Sequence, residues 1–133
     1  MRRPWFELEE VRRLAEEDRF ELNQGPACAG ALNVYVLAGF GHYRTFAQAV
    51  VLTLRLEDFW RTRRWPEPDG ALADEYGLRL PRALLETYEV GVSTWYVKLS
   101  VLSGRRGEQL FFLSLHPLAF DMERNGGLLR PGH

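Results

Sequence analysis

Apolar residues recur at helical spacing through the first half of the chain and at every second position through much of the rest. In PWFELEEVRRLAEEDRF, Leu8, Val11, Leu14 and Ala15 share one helical face and Glu9, Arg12, Arg13 and Glu16 the other. This is the pattern of a surface helix lying on a core. Glu9 and Arg13 stand at the i,i+4 spacing of a favourable ion pair. Asn23-Gln-Gly-Pro26 breaks the chain. Residues 27 to 38 fit a helix running from Pro26 to Gly39 or a buried strand through Val34–Leu37, with the helix preferred. Thr45-x-x-Gln48 has the spacing of a capping box and opens the apolar stretch FAQAVVLTL. A second short helical turn is expected from Glu57, ended by Pro66, and residues 66 to 70 (PEPDG) read as a turn.

From Ala71 onward the period shortens to two. ALADEYGLRL reads as a strand, PRALLETY as one helical turn or an irregular link, and STWYVKLSVL, SGRRGE and QLFFLSLHPL as a hairpin with its turn. Alternate side chains of a strand take opposite faces. Trp95, Val97, Leu99 and Val101 therefore form a core face, with Phe111, Leu113 and Leu115 as the apolar set of the partner strand. Thr94, Tyr96, Lys98 and Ser100 take the other face, joined by the mixed set Leu110, Phe112, Ser114 and His116. Helices first and strands second predict an α+β domain, its N-terminal helices packed on one face of a small antiparallel sheet that ends in a β-hairpin. Residues 1–120 form this single domain, and 121–133, with little to bury, are expected to be a loosely held tail.

Composition adds little to the fold but limits the function. At 133 residues, 46% hydrophobic and 26% charged, the chain has the make-up of one ordinary globular domain. A net charge of −1 gives no global attraction to nucleic acid or membrane, so any basic site must be local. Cys28 is alone, no apolar run nears the length of a bilayer span, and the start is not signal-like. The expected location is the cytoplasm, with no membrane partner. Lys98 is the only lysine, against sixteen arginines. Either the coding DNA is G+C-rich or one compact ammonium is kept for a site.

Two clusters carry candidate chemistry. Tyr96, Lys98, Ser114 and His116 bring a phenol, an ammonium, a hydroxyl and an imidazole onto one rigid face. A solvated sheet face has the same pattern, but Phe112 beside these groups argues for a partner-binding surface. FWRTRRWP sets Arg61, Arg63 and Arg64 between Trp60 and Trp65. Guanidinium groups pair with phosphates and indoles stack on unpaired bases, which is the chemistry of a single-stranded RNA site. The plainer alternative is a helix end with solvated arginines and core-covering tryptophans. No metal site is expected. His42 has no second ligand at metal spacing, and Gly39-x-Gly41 lacks the third glycine of a dinucleotide loop.

The order of these segments resembles the MqsR (motility quorum-sensing regulator) toxins, RelE-like ribonucleases of bacterial type II toxin–antitoxin systems. The matching pieces lie across most of residues 7 to 118: the Leu-x-x-Val-x-x-Leu helix at Leu8 to Leu14, Asp58-Phe59-Trp60-Arg61-Thr62 after an apolar helix, ADEYG, Tyr96-Val97-Lys98, and LSLHP. The last four correspond to D-F-Y-K-S, W-Q-D-V-Y, Y-x-K and S-F-K in the family. By this resemblance Arg61 takes the place of the lysine after D-F-Y, Tyr96 of the active-site tyrosine, Lys98 of the lysine two residues on, and His116 of the late lysine. Asp74 stands near the glutamine of W-Q-D. That is a departure, because a carboxylate repels a phosphate unless it acts as a base or faces elsewhere. A slip of one residue would exchange Asp74 for Glu75. The chain also inserts PRALLETYEVGVS before the Tyr96 strand.

The resemblance implies a RelE-like fold, metal-independent cleavage of single-stranded mRNA without a cofactor, and a cognate antitoxin protein as partner. The substrate's 2′-hydroxyl would attack the adjacent phosphate, leaving a cyclic phosphate and a 5′-hydroxyl. Lys98 and Arg61 would stabilise the phosphorane. His116 would be general acid or base, since an imidazole ordinarily titrates near neutral pH. Tyr96 would assist proton transfer or stack on a base, while Trp60, Arg63, Arg64 and Trp65 would hold the RNA. The alternative is a non-catalytic α+β binding module for a protein partner or small ligand, favoured by Asp74 and the near-zero charge.

Overall fold

A computed structural model describes residues 1–65 and 70–132. Helix α1 (Leu8–Glu16) forms where the apolar period predicts, burying Val11, Leu14 and Ala15. Its Arg13 bonds Glu10 and Glu17 instead of Glu9. Helix α2 (Ala29–Tyr35) occupies the ambiguous stretch and buries Ala31 and Leu32. Helix α3 (Tyr43–Thr53) starts two residues before Thr45, so the expected capping box is absent. The Thr45 hydroxyl donates to the His42 carbonyl, and Gln48 reaches across to the Ala15 carbonyl of α1. Helix α4 (Arg82–Thr87) is the short turn within PRALLETY. Among the described residues no helix is long and apolar enough to cross a membrane.

These helices cover one face of a five-stranded sheet with the order β1-β5-β4-β3-β2. Its strands are β1 (Phe20–Leu22), β2 (Phe59–Arg64), β3 (Leu72–Arg79), β4 (Thr94–Gly104) and β5 (Gly107–Pro117). The antiparallel expectation holds for β2 to β5, but β1 lies parallel to β5, which makes the sheet mixed. The helical turn expected from Glu57 is a correction of substance. A single 3₁₀ turn spans Leu56–Asp58, and Phe59–Arg64 then runs as an edge strand on β3. Phe, Trp and Thr favour a pleated, half-buried surface, and pairing with β3 uses backbone groups that a short helix end would leave open. The turn expected at 66–70 falls mainly on residues outside those described.

The inner core joins Val11, Leu14, Phe46, Val50 and Leu54 of the helical layer to Tyr76, Leu78, Trp95, Val97, Leu99 and Leu115 of the sheet. Trp95 is fully buried, edge-on to Phe46 at 5.2 Å between ring centroids. The hairpin face is shifted by one residue on β5. Lys98 pairs with Ser114 but Leu99 with Phe112, so Leu113 is the extra residue of a β-bulge. Phe112 and Leu110, expected on the outer face, are therefore in the core, while Phe111 and Leu113 are only partly buried.

The tail expected to be loose is ordered as a second hairpin, β6 (Met122–Arg124) with β7 (Gly127–Leu129). Met122 and Leu129 join Tyr96, Leu118 and Trp60 in a small cluster on the outer face of the sheet. Gly77 makes this possible, because a Cβ there would come within 2.5 Å of the Met122 sulfur. Arg124 secures the hairpin by donating to Asp58 and to the Gly77 carbonyl.

Candidate functional site

Sheet register arranges the outer face as two rows running across the strands. One row is Arg61 on β2, Glu75 on β3, Lys98 on β4 and Ser114 on β5. The next is Gly77, Tyr96 and His116. A bulge in β2 leaves Trp60 as an extra residue before Arg61, so both side chains reach this face. The Arg61 guanidinium lies 3.6 Å from the Trp60 ring centroid. Tyr96, Lys98 and His116 thus share one face, as strand parity predicts, and β2 adds Arg61 and Trp60 to them. Arg63 shares the face of Arg61, whereas Arg64 alternates away and donates to the Gly70 carbonyl.

Glu75 is the hub of the site, though the primary expectation named Asp74. One of its carboxylate oxygens accepts from the Tyr96 hydroxyl at 2.5 Å and the other from Arg61 Nε at 2.8 Å. The Glu75 side chain is 2% exposed and Arg61 is 38% exposed, so the anion is beneath the surface and the cation faces solvent. Asp74 is corrected to a scaffold role. It faces the helical layer and accepts from the backbone amides of Trp5 and Phe6 and from the Thr62 hydroxyl. Strand parity held the missing signal: Tyr76 and Leu78 mark the apolar face of β3, which puts Asp74 with them and Glu75 opposite.

Burial, reinforced by the hydrogen bond and charge of Glu75, pushes the Tyr96 phenol well above its ordinary range. Tyr96 therefore stays a neutral donor, not a base. Lys98 is shifted down, chiefly because its partly buried ammonium is desolvated and secondarily because Arg63 is near, with Glu75 opposing. Its Nζ sits 3.2 Å from the centroid of the Trp65 ring, and Arg63 lies over the same ring at 4.9 Å. The indole face solvates the cation where water is partly excluded.

The His116 ring stacks on Tyr96 with centroids 5.0 Å apart. Its Nδ1 lies 2.8 Å from the Pro117 carbonyl, which can only accept. Nδ1 thus carries the proton, and Nε2 is the lone-pair nitrogen of the neutral ring. Phe120 packs on both Trp60 and Tyr96 and closes that end of the face.

The arrangement offers three cations, Arg61, Arg63 and Lys98, with a neutral phenol held by a buried carboxylate, an imidazole with an available nitrogen and two indoles. It suits an anionic, partly aromatic ligand. Among the described residues no three His, Cys, Asp or Glu side chains converge as metal ligands do. Comparison with protein-family models and with curated proteins gives no match to this chain.

Proposed function

We propose that this chain is a metal-independent endoribonuclease of the RelE-like type that cuts single-stranded RNA by attack of the 2′-hydroxyl. The observation that carries the reading is the pair of rows Arg61–Glu75–Lys98–Ser114 and Tyr96–His116 on one sheet face. The resemblance to the MqsR toxins supports it and adds a cognate antitoxin as partner and the cytoplasm as the place of action. Phosphate recognition falls to Arg61 and Lys98, with Lys98 leaving the Trp65 face for a phosphate oxygen. Glu75 is a positioning residue that aims Arg61 and Tyr96.

In the chemical step the 2′-oxygen bonds to phosphorus and the bond from phosphorus to the 5′-oxygen breaks. The 2′-hydroxyl proton passes to His116 Nε2 as general base. The leaving 5′-oxygen takes a proton from the Lys98 ammonium. Both groups then exchange protons with water. Arg61 faces the charge that develops on the phosphorane, while the Tyr96 hydroxyl, whose one proton goes to Glu75, keeps that carboxylate aimed at Arg61.

The test is cleavage of end-labelled single-stranded RNA in EDTA, wild type beside His116→Ala and Lys98→Ala. Cyclic-phosphate ends are expected from the wild type, with each substitution lowering the rate by about 10²–10⁴-fold. Intact RNA after incubation with the wild type rejects the proposal for free RNA. Wild-type rates in either variant remove that residue from the mechanism.

One observation favours a binding module instead. A cavity of about 580 Å³ lies between β1, α2 and α3, lined in part by Leu22, Asn33, Phe40, Tyr43 and Arg44. Apolar walls with a few polar groups suit a small ligand. RNA that is neither bound nor cut would move the weight to that cavity.

A further inference from the structure

Beside His116 the sheet edge opens into a second groove of about 570 Å³. One wall is the exposed side of α2 with Pro26, Val34 and Tyr35, and the other is the segment His116, Pro117 and Leu118. Val34 is 60% exposed and Tyr35 38%, an apolar and aromatic surface that the fold leaves uncovered. None of the residues lining this groove is an arginine, a lysine or a carboxylate. Phosphate thus belongs on the Arg61 and Lys98 side of His116, and an uncharged planar group belongs on this side.

We infer that this groove is the nucleobase subsite for the nucleotide whose 2′-hydroxyl attacks, immediately 5′ of the cut. The inference rests on the ribonuclease reading above and deepens it. His116 Nε2 takes the proton of the 2′-hydroxyl, so the nucleoside that carries that hydroxyl must lie against His116, and the groove is the opening beside it. Its base lies between the wall of Val34 and Tyr35 on one side and Pro117 and Leu118 on the other. Stacking tolerates any base face, so the groove selects for the presence and size of a base at this position. The nucleotide on the 3′ side of the cut lies toward Lys98 and Trp65.

The experiment compares Val34→Arg with the wild type on a single-stranded oligoribonucleotide containing a mapped cut site, and on the same oligonucleotide with an abasic ribose immediately 5′ of that site. Val34 is solvent-facing, so the longer side chain fills the groove without entering the core. Loss of the base should lower wild-type kcat/KM by about 5- to 150-fold, the range of base–aromatic stacking. Val34→Arg should lower it similarly on the intact substrate and be indifferent to removal of the base. An abasic ribose one position 3′ of the cut should leave the ratio between the two proteins unchanged. Equal cleavage of intact and 5′-abasic substrate by the wild type overturns the groove assignment and leaves the ribonuclease reading standing. Absence of cleavage by the wild type overturns both.

Discussion

Neighbouring residues of β3 enter opposite environments. Asp74, Tyr76 and Leu78 face the helix-covered core, whereas Glu75 and Gly77 face the smaller cover built from the residues after β5. Both carboxylates are buried, but their partners differ. Asp74 ties down groups of the scaffold, the amides of Trp5 and Phe6 and the Thr62 hydroxyl. Glu75 holds a buried phenol and a guanidinium that reaches solvent, where it can meet a ligand. Burial of a charge therefore does not by itself mark a site; what the charge holds, and whether that partner reaches solvent, does.

The inner and outer faces should separate most clearly in stability. Trp95→Ala, on the inner face, should lower unfolding free energy by about 3–5 kcal/mol, while Met122→Ala in the outer cluster should lower it by about 2 kcal/mol. Denaturant melts measure both. Equal losses would mean that the two covers form one cooperative core.

The two carboxylates should then separate stability from activity. Asp74→Ala leaves two backbone amides without their acceptor and should destabilise by about 2 kcal/mol, with RNA cleavage unchanged under folding conditions. Glu75→Ala lets Arg61 and Tyr96 drift and should lower kcat by about 10²-fold, the scale of a misplacement near 1 Å. A variant Asp74→Ala that folds but does not cut would erase the distinction between the faces.

The smallest effect is a displaced pH limb. Desolvation holds the Lys98 ammonium below its ordinary value, and its acid role requires the proton. The rate should therefore fall as pH rises through that lowered value, earlier than the roughly 10.4 of a free lysine. The position of the alkaline limb of kcat/KM, which reports the free enzyme, measures it. Lys98→Arg, which keeps its proton at every working pH, should remove the limb along with most of the rate. An unaltered limb in that variant assigns it to another group.

Much of the site was legible in the chain because strand alternation is a local rule. Tyr96, Lys98, Ser114 and His116 share a face by parity alone, and the bulge at Leu113 falls just beyond them, so it displaces Phe112 without disturbing the set. The basic and aromatic residues of FWRTRRWP were legible as a cluster but not as a strand, since Phe59–Arg64 meets its hydrogen-bonding partners only on β3. Asp74 drew attention through its place in a motif, although the alternation of Tyr76 and Leu78 already pointed to Glu75.

The sequence by itself determined the α+β class, the long helices α1 and α3, the β4–β5 hairpin and the face that carries the polar groups. In each case residues a few positions apart set the outcome through periodicity and turn chemistry. The tertiary structure decided that β1 runs parallel to β5, that the last residues fold back as a hairpin over Gly77, and that Glu75 gathers Arg61 and Tyr96. Those outcomes join segments far apart in the chain, and which of them meet depends on how the whole chain packs, beyond the reach of local propensity.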